Sequence, residues 1–206
     1  MATRMTRAER SEQTRAELVA AARTVFLRRG FHGASLDEIS AEAGYTTGAV
    51  YSRFGGKDDL FLAVMDEHLE RRTALYAEAA QTGEDFESAH RAVMRAAAEA
   101  GREEPGWTPL LMEFWTHAAR RDELREAVAE RNRRNLDASA GLQETIAERH
   151  GMTLLRPPHE MQRAATAMAR GLSLERQIAP DAELEALFED CVIALLRAFT
   201  ERRSTP

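Results

Sequence analysis

The stretch Ser35-Leu36-Asp37-Glu38-Ile39-Ser40-Ala41-Glu42-Ala43-Gly44-Tyr45-Thr46-Thr47-Gly48-Ala49-Val50-Tyr51-Ser52-Arg53-Phe54-Gly55-Gly56-Lys57-Asp58-Asp59-Leu60 decides how this chain is read. Ser35 followed three residues later by Glu38 is the pattern of a helix N-terminus with a reciprocal capping box. The helix it opens runs to Ala43, with Leu36, Ile39 and Ala43 facing inward. Gly44 ends it, because a tight reversal needs a residue that tolerates positive φ. Thr46 is expected to cap the next helix, Thr47 to Phe54, and Gly55-Gly56 to break the chain before a helix opening at Lys57. Asp58 and Asp59 suit the positive end of that helix.

The second short helix has two faces. Val50 and Phe54, four apart, are expected to bury. Thr47, Gly48, Tyr51 and Ser52 point elsewhere and expose hydroxyls, a phenol and a bare backbone. Such a face can bond base edges or phosphates in a major groove, and glycine permits close approach to a nucleic-acid backbone. The charge distribution agrees. Residues 1–57 hold nine lysines and arginines against six acids, a net +3, which leaves −9 on the rest of a chain of net −6. A basic head on an acidic body suits contact of the head with a polyanion. Arg4, Arg7 and Arg10 are expected in a flexible basic arm over residues 1–10.

Working outward, nearly everything reads as helix, since Ala, Leu, Arg and Glu dominate and no period-two apolar pattern suggests a strand. A first helix is expected from Ser11 to Arg29, with Leu18, Ala22, Val25 and Phe26 as its stripe and Gly30 as its stop. Beyond the quoted stretch, the helix from Lys57 reaches about Gln81, and others follow at 84–102, 107–121, 122–149, 158–178 and 181–203. The fold class is therefore all-α, about nine helices, with a three-helix domain at residues 1–56 and a helical domain at 57–206. With 206 residues the chain can bury a core unaided.

At the quoted residues the sequence resembles the N-terminal signature of the TetR family of transcriptional repressors, over roughly residues 11–65. The resemblance implies that Thr46 and Thr47 contact bases and phosphates at the start of the recognition helix. It implies close approach at Gly48, DNA-backbone contact by Tyr51, and phosphate contact by Lys57 and by Ser35 at a helix N-terminus. Lys57 is the only lysine in the chain. The sequence departs from the pattern in three places. Tyr45 replaces a small aliphatic residue and is expected to add a DNA contact or shift the turn. Ala49 stands where larger residues are frequent, and Gly55-Gly56 replaces Pro-Ser.

The resemblance also implies a C-terminal domain that dimerises and binds a small-molecule effector. Met161, Ala165, Met168 and Leu172, then Leu184, Phe188, Cys191 and Leu195, repeat at helical spacing in the last two helices. Such stripes suit a four-helix bundle built with a second copy, or completion of the chain's own core. The aromatic segment around Leu111, Phe114 and Trp115, with Phe86, Met94, Leu136 and Met168, offers an apolar lining; Glu113, His117 and Asn132 offer polar anchors. The partners expected are a pseudo-palindromic double-stranded DNA operator, a second copy and an unknown effector, with half-sites roughly 34–36 Å apart.

No enzyme is expected. The sequence lacks a nucleophile elbow, a P-loop and a dinucleotide-binding glycine motif. Six histidines scatter one per segment, and the single cysteine, Cys191, lies on an apolar stripe. No metal and no cofactor are therefore expected. No apolar run reaches the ~18 residues that would span a bilayer, and no secretory signal opens the chain, so a cytoplasmic location is expected. Two other readings stay open on sequence: a regulator without an effector, and a helical small-molecule binder whose head is only structural.

Overall fold

The computed structural model describes residues 6–179 and 183–203. Among them the chain forms nine helices and one two-stranded ribbon: α1 (Arg7–Gly33), α2 (Leu36–Glu42), α3 (Thr47–Tyr51), α4 (Lys57–Ala80), α5 (Phe86–Glu103), α6 (Trp107–Ala118), α7 (Asp122–Arg149), β1 (Met152–Leu154), α8 (Pro158–Ile178), α9 (Glu183–Phe199) and β2 (Thr200–Arg202). The all-α expectation holds.

They group into two compact units that do not follow chain order. The first takes residues up to His68 together with Pro109–Val128; the second takes Leu69–Thr108 and everything from Ala129.

The first unit is built on the stripe read from the sequence. Leu18, Ala22, Val25 and Phe26 are fully buried, as are Ile39, Val50 and Leu60. At its centre Phe26, Phe31, Phe61 and Phe114 form an edge-and-face cluster, with centroid separations from 4.2 Å (Phe61–Phe114) to 5.8 Å (Phe26–Phe31). Each ring removed from water stabilises the unit by about 1.5–3 kcal/mol. Phe114 is brought in from α6, far along the chain.

The start and end of α1 differ from expectation. It begins at Arg7, not Ser11, because Thr6 and Glu9 form a capping box of their own. The expected arm thus shrinks by four residues, and residues 1–5, with Arg4, lie outside the described residues. Gly30 is not a terminal stop. It is a kink with φ +73°, after which one further turn runs to Gly33.

In the second unit Phe86, Ala89, Ile146, Ala147, Met161, Val192, Ile193 and Leu196 make the core. A capping box at Asp85 and Ser88 opens α5, and Pro158 at the first turn opens α8, where a missing N–H costs nothing. Charged pairs join α5 to α9: Glu87 with Arg197 (2.7 Å), Arg91 with Glu189, and Arg102 with Glu185 (2.9 Å). On exposed surface such pairs specify register more than they stabilise.

The sequence suggested no strand, yet β1 and β2 pair antiparallel, Met152 with Arg202, Thr153 with Glu201 and Leu154 with Thr200. Gly151, at φ +65°, turns the chain out of α7. Leu155 and Phe199, and Arg203 and Gly151, extend the ladder by one bond at each end. Three-residue strands are too short to show alternation, so periodicity missed them and ran α9 on to Arg203 instead.

Candidate nucleic-acid interface

The geometry of α2, the turn and α3 follows from local chemistry. Ser35 caps α2, its hydroxyl accepting the Glu38 N–H at 3.1 Å. The reciprocal half of the expected capping box is absent, because the Glu38 carboxylate turns to Arg28 (3.0 Å) and Arg29 (3.2 Å) on α1. Those two guanidiniums hold its carboxyl below the usual carboxylate range. Gly44 takes φ +74° in the turn, where the Tyr45 N–H donates to the Ser40 carbonyl at 2.8 Å.

Thr46 occupies the N-cap position of α3, but its hydroxyl makes no cap bond; its side chain is exposed. The inward role falls to Thr47, whose hydroxyl donates to Asp37 at 2.5 Å and lies 3.2 Å from the Ser40 hydroxyl. Thr47 therefore ties α3 to α2. Helix α3 is shorter than expected, ending at Tyr51. Val50 on its inner side is 0% exposed and Tyr51 on its outer side is 61% exposed. Gly48 and Ser52 are exposed beside Tyr51. The Ser52 hydroxyl donates to the Ala49 carbonyl (2.9 Å) and accepts from Arg53 (3.0 Å), which brings a guanidinium to the end of α3.

Two side chains expected at the DNA are bonded within the chain. The Tyr45 phenol donates to the Glu17 carboxylate and accepts from Thr14, so it anchors the turn to α1. Of the two outcomes expected for Tyr45, an added DNA contact is not what its hydroxyl is placed for. Lys57 lies at the start of α4, with Nζ donating to the carbonyls of Ala34 (3.0 Å) and His32 (3.5 Å) and lying 4.7 Å from the centroid of the Phe31 ring. Sequence reading also overlooked Arg15, whose guanidinium stacks over Phe54 at 5.5 Å.

The residues expected to line an effector site fall into two groups. Leu111, Phe114, Trp115 and His117 belong to the first unit. There Phe114 fills the aromatic cluster, and His117 donates from Nε2 to Asp58 at 3.1 Å, beside the Arg121–Asp58 pair. Glu113, expected as a polar anchor, instead accepts backbone N–H groups of α1. Phe86, Met94, Asn132, Leu136 and Met168 belong to the second unit. Met94 and Met168 pack on its core, and Asn132 accepts from Arg170 at 3.1 Å. Burial lowers the Arg170 pKa below the ordinary arginine value. His90, which sequence reading passed over, is buried next to Phe86, its Nδ1 donating to the Phe86 carbonyl at 2.8 Å. Burial lowers its pKa as well.

The stripe expected to form a dimer interface is largely the chain's own core. Met161 is 1% exposed, and Ala165, Met168, Phe188 and Leu195 pack against the same cluster. Met161 is thus a core residue, while the other four are partly buried against that core. Leu172, Leu184 and Cys191 are half-buried. The helical period holds, and most of the larger apolar side chains of the stripe lean on the chain's own interior. The outward positions are the small ones, Ala164, Ala167 and Gly171 on α8 and Ala194 and Ala198 on α9, with Leu187 at 54% exposure.

Among the described residues no group of three or more histidine, cysteine, aspartate or glutamate side chains could hold a metal ion. No described helix is long and apolar enough to cross a membrane.

A family model for bacterial regulatory proteins of the tetR family matches residues 18–64, the segment that carries α2, the turn and α3. The chain is 37% identical over 89 residues to the transcriptional activator FasR of Mycolicibacterium smegmatis, a match covering 43% of this chain and 39% of that protein. It is 44% identical over 62 residues to the transcriptional repressor BepR of Brucella suis, covering 30% and 29%. The match thus spans well under half the length of either relative. In fold, a TetR-family regulator from Streptomyces coelicolor superposes with a TM-score of 0.70, at 23% identity over 91% of this chain and 96% of that one. Residues 18–64 match the family model for bacterial regulatory proteins of the tetR family, and the helix-turn-helix lies within them.

Proposed function

We propose that the chain is a homodimeric transcriptional repressor that holds a pseudo-palindromic DNA operator through α3 and is released by a small-molecule effector. The observation that carries the reading is the division of α3 between Val50, wholly buried, and Tyr51, more than half exposed with Thr46, Gly48 and Ser52 around it. A short helix pinned from behind, with hydroxyls, a phenol and bare backbone outward, matches what a major groove offers. Ser35 and Lys57 flank it as phosphate contacts, since a helix N-terminus and an ammonium both attract anions. The net +3 of residues 1–57 favours the same polyanion.

Residues 1–56 serve as the DNA-binding domain and 57–206 as the effector-binding and dimerisation domain. The outward small residues of α8 and α9 support pairing with a second copy, because small side chains let helices approach closely. A two-fold dimer presents two copies of α3 to half-sites about 34–36 Å apart. Phe86, Met94, Leu136 and Met168, with Asn132 as a polar group, form the effector-binding set in the body. The protein works in the cytoplasm, where its operator is. The test is equilibrium binding of the full chain to duplex DNA at increasing salt, with the mass of the free protein measured by light scattering. Binding that weakens steeply with salt, by a species of twice the chain mass, is expected. A monomer, or no binding at low salt, overturns the reading.

A further inference from the structure

The feature that reaches furthest beyond the helix-turn-helix is the Glu113 carboxylate, carried by α6 outside the segment that the family model matches. It accepts the backbone N–H of Phe31 at 3.0 Å and of His32 at 2.8 Å. These two N–H groups follow the kink at Gly30, so they open the last turn of α1 and lack the acceptors that an unbroken helix would give them. A carboxylate is the best partner for such a pair, by charge and by its two oxygens. Gly30 is matched to it. A Cβ at that position would lie 2.7 Å from Glu113 Oε2, and the φ of +73° disfavours any side chain.

The turn so held carries the groups that the proposed function assigns to phosphate. The carbonyls of His32 and Ala34 accept Lys57 Nζ, Phe31 lies under the same ammonium, and Ser35 follows directly. One carboxylate thus fixes the donors of the turn, while its carbonyls fix the lysine. The rings of Phe31 and Phe114, 4.9 Å apart, keep α6 against this turn.

We infer that Glu113 is a positioning residue for phosphate contact: it holds the segment Gly30–Ala34 so that Ser35 and Lys57 meet the DNA backbone in register. The inference rests on the DNA-binding reading above. Its test uses the full chain and a duplex carrying the site that the wild-type chain selects from random-sequence DNA. Glu113→Ala is expected to weaken binding roughly 10-fold, with the slope of log affinity on log salt shallower by about 0.9 for each phosphate no longer neutralised. Glu113→Gln, which keeps one carbonyl acceptor, is expected between wild type and Glu113→Ala. Unchanged affinity in a folded Glu113→Ala chain overturns the inference. So does weaker binding with an unchanged salt slope, which would mean only fewer folded heads. Amide exchange in the wild-type chain gives a reading that needs no variant: protected Phe31 and His32 N–H groups are expected, and fast exchange at both overturns the clamp. Failure of the wild-type chain to bind any duplex would instead sink the DNA-binding reading, and the exchange result would still judge the clamp.

Discussion

Val50 and Tyr51 are neighbours in sequence and opposites in the structure, and DNA reading by α3 depends on that contrast. Val50→Ala removes two methyl groups from a site with no solvent exposure. At about 0.8 kcal/mol for each, plus a small cavity, the cost is about 2 kcal/mol. For a chain of this size that lowers the melting temperature by roughly 4–8 °C. Tyr51→Ala removes a ring that is mostly in water, so stability should change by no more than about 0.5 kcal/mol. If the phenol bonds a phosphate, losing a hydrogen bond to a charged group costs about 1.5–3 kcal/mol of binding, roughly 10- to 100-fold in affinity. The assays are thermal unfolding by circular dichroism and fluorescence anisotropy with the selected duplex, both variants in parallel. The expected pattern is crossed: Val50→Ala melts early and its folded fraction binds within about threefold of wild type, while Tyr51→Ala melts normally and binds poorly. A Tyr51→Ala chain that melts early and binds as wild type would refute the two-faced reading of α3.

Other parts of the chain give three more expectations. Gly44 has φ +74° with nothing near a would-be Cβ, so Gly44→Ala costs about 1–2 kcal/mol of backbone strain alone, read as a lower urea midpoint. His90 has a folded pKa lowered by burial from 6.5. The unfolded chain therefore binds the proton first, and stability that is complete above pH 6.5 is lost as pH falls toward the folded value. His90→Phe should flatten the fall of urea midpoints below pH 6.5, and an unchanged pH dependence would refute the assignment. Ala167→Arg places a bulky charge on the outward face of α8 and should halve the mass seen by light scattering without lowering helix content.

How much could be read beforehand depended on how local the cause was. The α1 stripe, the Gly44 turn and the two faces of α3 were legible because each is set within a few residues by spacing, capping or positive φ. What was missed depends on partners far along the chain. Glu113 lies 82 residues from Phe31, and its bonding could not be inferred from a lone glutamate in an aromatic segment. Glu38 was read as a reciprocal cap because only its own helix was in view, while Arg28 and Arg29 compete for it from α1. For α8 and α9 the helical period was clear, but a period gives a stripe without saying which neighbour it meets. Most of the larger side chains went to the interior, leaving alanines, Gly171 and a few large residues such as Leu187 outside.

Whether this chain reads DNA through α3 as a two-fold pair can be decided by incubating the full chain with sheared DNA of the source organism at near-physiological salt and sequencing the retained fragments. Enrichment of one pseudo-palindrome is expected, its half-sites one helical turn, or a multiple of it, apart. Retained fragments indistinguishable from bulk DNA would contradict DNA reading by α3.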